Sequence, residues 1–180
     1  MRKMRIVKQV GCAILAGALV IGQIFGSGAS LITAKAAESW VDTQKITNGD
    51  FETGDSSEWA LESGSGAELE VKNGGSNVNS TYYLNIWASD QADVSIKQTV
   101  SSVSAGTYKL GFDVEGDAQD TGLTVSVAGI EESVGVTSGW DVWTTHETEE
   151  FVIEDTTDVE ISFAGNLAKG YWGKLDNVKL

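Results

Sequence analysis

Short runs of alternating residue type constrain the fold of this chain more than any other feature. In residues 82–88, and again in residues 108–115, apolar side chains alternate with polar or aromatic ones. This pattern is typical of a β-strand with one solvent-facing side. Gly, Asn, Asp and Ser separate the runs, and no stretch of the sequence shows sustained helical periodicity. The remaining predicted strands lie at residues 48–52, 59–61, 69–71, 94–100, 123–127, 140–145, 151–153, 159–163 and 175–180.

The number and length of these strands predict the fold class. About nine to eleven short strands in one domain require a sandwich or a barrel. An N-terminal segment that pairs near the C-terminal strand is typical of a jelly roll. The sequence therefore predicts an all-β fold, a β-sandwich jelly roll over residues 45–180, preceded by a short leader at residues 37–44.

The first 36 residues have the pattern of a secretory signal peptide, with basic residues, then an apolar run, then small residues ending at Ala36. The apolar run from Val10 to Phe25 is shorter than the ~20 residues that span a bilayer, so a membrane anchor is the weaker interpretation. Cys12 lacks the apolar residue three places earlier that a lipoprotein signal has. We expect a secreted protein of a Gram-positive bacterium, cleaved after Ala36 and free of the membrane.

The composition of residues 37–180 limits the partners and the means of stabilisation. Loss of the five basic residues in the signal leaves seven lysines, no arginine and 26 acidic residues, a formal charge of −19. Nucleic acid and anionic membranes are excluded as partners, and neutral glycans or a divalent cation are favoured. Charge for solubility alone is the alternative interpretation. Without cysteine this segment has no disulfides, and its length suits one domain with one core.

The two ends of the predicted domain contain a possible metal site. Asp176 shares strand alternation with Val178 and Leu180, so if those residues face a core, its carboxylate faces inward as well. A buried carboxylate needs a partner, and oxygen ligands of this kind suit Ca²⁺. The alternatives are a surface carboxylate or a bond from Asp176 to Lys174 or to backbone amides.

Several motifs occur in a fixed order along the chain, at residues 48–54, Trp59 and residues 98–100, 106–108 and 172–178. Together they resemble the galactose-binding-like β-jelly-roll modules of bacterial glycoside hydrolases. Residues 84–90, residues 139–143 and the closing strand look most like carbohydrate-binding module family 61, which occurs in the endo-β-1,4-galactanases of glycoside hydrolase family 53.

The resemblance implies a structural calcium ion that joins the opening segment to the last strand. Glu52 and Asp176 match the acidic ligands of such modules. Backbone carbonyls near Gly49 and in residues 77–80 are expected to complete the shell. Residues 75–80 depart from the turn that is common in the family before the Tyr-rich strand.

For the sugar site, Trp87 is the leading candidate, because a pyranose stacks its C–H face on an indole. Tyr83 and Asn85 share the solvent-facing side of its strand, and Asp113 and Glu115 are expected on the solvent-facing side of another strand. The alternative for Trp87 is an exposed edge aromatic without a ligand. Further candidates, of which at least half are expected in the core or at the rim, are Trp140, Trp143, Tyr171 and Trp172.

Catalysis is the weaker interpretation. A glycosidase needs two carboxylates positioned in a cleft, and adjacent acidic pairs at residues 131–132 and 149–150 look like solvated strand edges. His146 has no nucleophile nearby in sequence and is expected to be a surface residue of a strand. We predict a non-catalytic module that binds plant-type β-1,4-galactan, as the N-terminal part of an arabinogalactan endo-β-1,4-galactanase whose catalytic domain follows this chain. The alternative is a cell-surface adhesion or structural domain without a sugar site.

Overall fold

The computed structural model describes residues 40–74 and 80–180. These residues contain twelve β-strands and no α-helix, so the all-β prediction is confirmed, and among them no helix is long and apolar enough to cross a membrane. The predicted signal peptide and the expected carbonyl ligands at residues 77–79 lie outside the described residues. The strands are β1 (Ala60–Ser63), β2 (Ala67–Asn73), β3 (Tyr82–Ala88), β4 (Ala92–Val103), β5 (Gly106–Tyr108), β6 (Gly111–Gly116), β7 (Leu123–Val127), β8 (Ile130–Ser133), β9 (Gly139–Glu147), β10 (Phe151–Ile153), β11 (Thr157–Leu167) and β12 (Trp172–Lys179).

The strands form two five-stranded antiparallel sheets and a two-stranded ribbon. The first sheet has the order β1-β4-β11-β7-β8, the second has the order β2-β3-β12-β6-β9, and the ribbon pairs β10 with β5. β12, the last strand of the chain, is the central strand of the second sheet. The side chains of β3 therefore lie next to those of β12 along one edge of that strand, and the side chains of β6 lie along the other edge.

The core lies between the two sheets and determines which side chains face outward. Leu84 and Ile86 of β3 are fully buried, as are Ile96 and Ile161 of the first sheet. Burial of each such side chain stabilises the fold by roughly 1.5–3 kcal/mol. Alternate residues of a strand point to opposite sides, so Tyr83, Asn85 and Trp87 of β3 belong to the outer side of the second sheet.

Two predicted strands differ from the structure. Residues 108–115 form parts of two strands rather than one, because β5 ends at Tyr108 and pairs in the ribbon while β6 starts at Gly111 in the second sheet. The opening segment at residues 48–52 is a pair of turns. Asn48 and Phe51 have φ values of 50° and 53°, in the left-handed region that interrupts a strand ladder.

The two ends of the domain meet, as the jelly-roll prediction requires. The Val178 amide donates to the Gly49 carbonyl at 2.8 Å, and the Thr43 amide donates to the Leu180 carbonyl at 2.7 Å. A Cβ on Gly49 would lie 2.2 Å from the Val178 carbonyl oxygen, so only glycine allows this close approach. The end of the predicted leader is thus bonded to the last residue of the chain.

A β-bulge near the end of β12 changes the predicted orientation of Asp176. The register of β12 against β6 shifts between Asp176 and Lys179, and Asn177 has a φ of 51°. The extra residue of a bulge reverses the alternation beyond it. Val178 and Leu180 therefore face the core, whereas Asp176 points to the outer side of the second sheet. Asp176 is fully buried, but its predicted place on the core side is wrong.

Candidate functional site

The outer face of the second sheet brings together most of the predicted sugar-site residues. We use the term outer face for the side chains that this sheet directs away from the core. Trp172 is directly opposite Trp87, and Lys174 is directly opposite both Asn85 and Glu115. Directly opposed residues of neighbouring strands share one side of the sheet. The predicted residues that the structure places on this face are Tyr83, Asn85, Trp87, Asp113, Glu115, Trp172 and Asp176.

Three indoles form a row across one end of the outer face. Trp87 is 41% exposed and Trp140 is 68% exposed. Trp172 is partly buried between them, opposite Trp87 in the ladder and 5.4 Å from Trp140 between ring centroids. We call Trp87, Trp172 and Trp140 the tryptophan row.

Beside the tryptophan row lies a buried ion pair. The Lys174 ammonium donates to both carboxylate oxygens of Glu115 at 3.1 Å. Their side chains are only 5% and 0% exposed. The same ammonium lies 4.6 Å from the ring centroid of Trp140 and 4.8 Å from that of Tyr83. At these distances the rings attract the cation through their negative faces.

An arch in β9 buries this ion pair. Thr144 pairs with Val114, but the next pair along the ladder is Gly139 with Gly116, so residues 140–143 all lie opposite Glu115. The Asp141 amide donates to a Glu115 oxygen at 3.0 Å. Positive φ values at Gly139 and Asp141, 102° and 57°, produce the tight curvature of the arch.

The arch explains which site predictions are wrong. Glu115 is expected on a solvent-facing side of its strand, yet it is completely buried under the arch. Tyr83 is buried as well, at 8% exposure, with its ring 6.4 Å from Trp143 and edge-on to it. In this conformation Tyr83 and Glu115 support the surface from below, while Trp87 and Trp140 form it and Asn85 is partly buried.

The Lys174–Glu115 ion pair is not among the predicted features of the sugar site. Lys174 is predicted only as an alternative partner of Asp176. Its position two residues after Trp172 places both on one side of a strand, which is a signal that the sequence does contain. Tyr171, by contrast, is a core residue, as expected for part of the aromatic set, and burial raises the pKa of its phenol.

His146 is partly buried, in contrast to its prediction as a surface residue. Its ring stacks on Phe112 with centroids 5.5 Å apart and planes 8° from parallel. Burial lowers the pKa of the imidazole, and the charge of Asp113 opposes that change. Among residues 40–74 and 80–180, no group forms a hydrogen bond to the buried His146 Nε2. The ring therefore contributes to the fold through its packing on Phe112.

Both predicted acidic metal ligands accept hydrogen bonds from backbone amides. Glu52 is exposed, and its Oε1 accepts hydrogen bonds from the Tyr82 amide at 2.8 Å, the Thr81 amide at 2.6 Å and the Ser80 hydroxyl at 2.9 Å. These bonds, that from Tyr82 first, hold the pKa of Glu52 below its usual value. Asp176 accepts a bond from the Asn177 amide at 2.7 Å and lies opposite Asp113. Residues 40–74 and 80–180 contain no group of three or more His, Cys, Asp or Glu that could hold a metal ion.

Comparison with solved structures agrees with this architecture. The module TmCBM61, solved in complex with β-1,4-galactotriose, is 27% identical, with a TM-score of 0.60 over 75% of this chain and 95% of that one. A family 16 carbohydrate-binding module is 19% identical, with a TM-score of 0.56 over 75% of this chain and 97% of that one. The enzymatically active domain of tailspike protein 4 from bacteriophage CBA120 is 16% identical, with a TM-score of 0.58 over 75% of this chain but only 21% of that one.

No protein-family model and no curated protein sequence matches the chain. The similarity to TmCBM61 supports sugar binding in general, and the two-sheet sandwich fits the fold of both modules. The chain thus has the galactose-binding-like β-sandwich fold of these modules and is similar to the family 61 module TmCBM61.

Proposed function

We propose that this chain is an exported, non-catalytic module that binds β-1,4-galactan, or a galactose-containing polysaccharide, through the tryptophan row. The observation that carries the proposal is the exposure of Trp87 and Trp140 on either side of Trp172, on one side of one sheet. Aromatic side chains of this size are ordinarily buried, so an exposed set indicates a surface that binds a ligand.

The chemistry of the row suits a neutral sugar. Indole rings stack against the C–H face of a pyranose, and the partly buried Asn85 amide beside them can bond a hydroxyl. Glu68, directly opposite Trp87 on β2, is exposed and adds an acceptor at the edge of the row. The ligand named for TmCBM61, β-1,4-galactotriose, supports the choice of galactan.

As part of a longer galactan-degrading enzyme, the module would act by proximity. A binding module tethered to a catalytic domain raises the concentration of that domain on the polysaccharide without any chemistry of its own. The buried Glu115 is paired with Lys174 rather than placed in an open cleft, which supports a binding role over a catalytic one.

Calorimetry of the chain with β-1,4-galactotriose, and of the W87A variant, tests the proposal. Loss of an aromatic contact at a binding hot spot typically costs about 2 kcal/mol or more, so we expect at least a thirtyfold lower affinity with an unchanged melting temperature. V152A is the matched control, because Val152 is 65% exposed on the ribbon strand β10. Full affinity in W87A would reject the tryptophan row. Failure of the unmodified chain to bind galactotriose would reject the galactan proposal, and silence across a glycan array as well would favour the adhesion or structural role.

We also propose that Glu52 and Asp176, together with the Gly49 carbonyl, hold a structural Ca²⁺. The residues fit in part: Glu52 Oε1 is occupied by three donors, whereas Oε2 accepts no hydrogen bond from the described residues. The Gly49 carbonyl has one acceptor position left beside its bond to Val178. Asp176 is fully buried on β12, and its neighbour Leu175 pairs with Leu84, two residues beyond Tyr82, whose amide donates to Glu52. This register supports a shared site near the start of β3.

Melting in EDTA and in millimolar calcium tests the metal proposal. A bound ion stabilises the folded state by mass action, so we expect a higher melting temperature in calcium and no such difference in E52Q. Equal melting temperatures of the unmodified chain in the two buffers would overturn it.

A further inference from the structure

A second cleft lies on the outer face, at the opposite end of β12 from the tryptophan row. Its volume is about 190 Å³. One wall is Trp40, which belongs to the predicted leader at residues 37–44. The residues that line it are Trp40, Gly111, Phe112, Asp113, Thr145, Asn177 and Lys179.

The indole of Trp40 is held in place from two sides. Its Nε1 donates to a Glu147 oxygen at 2.7 Å. Its six-membered ring lies over Gly111, where a Cβ would come within 2.8 Å of two ring carbons. Gly111 does not have a left-handed backbone conformation, so the backbone does not require glycine there. The absence of a side chain at residue 111 instead makes room for the indole.

The polar groups of the cleft combine a fixed pair with free bonding positions. Asp113 accepts from the Thr145 hydroxyl at 2.6 Å and from the Asn177 side-chain amide at 2.9 Å. Within residues 40–74 and 80–180, the Asn177 Oδ1 accepts no hydrogen bond and the Lys179 ammonium makes no ion pair. An acceptor and a donor thus remain beside an aromatic wall, which is the set of groups that a pyranose ring uses.

The charges in the cleft favour a neutral sugar over an acidic one. Asp113 and Lys179 carry opposite charges, and the net charge of the domain is strongly negative. A uronic acid would meet the Asp113 carboxylate at unfavourable cost, whereas hydroxyl groups bond to both.

The cleft and the tryptophan row are within reach of one oligosaccharide. Asp113 is opposite Asp176, which is four residues beyond Trp172 on β12. At about 3.3 Å per residue, that separation is about 13 Å along the strand.

We infer that the Trp40 cleft is a second subsite for a neutral pyranose, and that one glycan chain occupies it together with the tryptophan row. The inference rests on the proposed function, because it assumes that the row binds the same glycan. It predicts that affinity increases with ligand length through Trp40.

Calorimetry with β-1,4-galactobiose and β-1,4-galactohexaose tests the second subsite. One stacking contact corresponds to about three- to tenfold in affinity. We therefore expect W40A to weaken hexaose binding by about that factor and to leave biose binding unchanged. W40F keeps an aromatic wall and should retain most of the hexaose affinity.

G111A provides an independent test if W40A is unstable, because its methyl group displaces the indole without removing a polar group. V41A is the matched control, since Val41 is the neighbouring residue and is 83% exposed. An unchanged ratio of hexaose to biose affinity in both W40A and G111A overturns the second subsite. Unchanged binding of both ligands in W87A instead overturns the tryptophan row, so the two failures are distinct.

Discussion

Each of the two sheets has a Lys–Glu ion pair on the side that faces away from the core, but one pair is exposed and the other is buried. On the first sheet Lys97 lies 4.0 Å from Glu160, with side chains 44% and 60% exposed. On the second sheet Lys174 lies 3.1 Å from Glu115, and both are buried beneath aromatic rings. The first pair is solvated, while the second forms part of a packed layer that supports the tryptophan row.

The difference shows that stability alone does not explain the second pair. Apolar residues of similar volume in place of a buried ion pair are often as stable or more stable. What the Lys174–Glu115 pair provides is position: the carboxylate holds the Asp141 amide, and the ammonium holds the Trp140 ring. The buried pair therefore positions the exposed indoles of the second sheet. The corresponding side of the first sheet is an ordinary solvent-exposed surface.

The comparison predicts very different costs for two equivalent substitutions. K174M leaves Glu115 charged and buried, and should lower the free energy of unfolding by about 3–5 kcal/mol. K97M removes an exposed pair and should cost about 0–1 kcal/mol. Urea denaturation of both variants measures the difference.

If K174M is too unstable to purify, the double variant E115Q/K174M can be compared with K97M instead. The double variant removes the uncompensated charge and should recover part of the lost stability. Equal losses for K174M and K97M would mean that the buried pair is solvated in solution, and the contrast between the two faces would be wrong.

The sequence predicted the parts of the second sheet that depend on local pattern. Strict alternation in residues 82–88 was enough to place Leu84 in the core and Trp87 outside, because each position depends only on its own strand. The meeting of the two chain ends also followed from the opening and closing motifs, and the Gly49–Val178 bond confirms it.

Other features depend on residues far apart or on unusual backbone angles. Glu115 is buried by an arch about 25 residues later in the chain, which no alternation pattern around Glu115 reveals. The bulge at Asn177 requires a positive φ, which asparagine tolerates, but an asparagine in a sequence does not by itself predict a positive φ. Trp40 packs against the second sheet because residue 111 is glycine and leaves room for its ring. In each case a residue far away in the sequence, or an unusual backbone angle, decides which side of the sheet a side chain faces or whether it is exposed.

The smallest expected effect concerns pH and again separates the two sheets. His146, the one histidine of the chain, belongs to the second sheet, and burial lowers its pKa in the folded state. Below the usual pKa of about 6.5 the unfolded chain binds a proton more readily than the folded one, so stability is fully present above that pH and declines as the pH falls toward the lowered value. Melting temperatures from pH 7.5 to 5 should therefore fall slightly in the unmodified chain and remain flatter in H146Q. A second loss of stability is expected below about pH 4.5, because the folded pKa of Glu52 is also lowered, and E52Q should remove it.

For His146, identical pH profiles of the unmodified chain and H146Q between pH 7.5 and 5 would contradict the prediction. They would show that the imidazole is as solvated in the folded state as in the unfolded one, contrary to its stacking on Phe112.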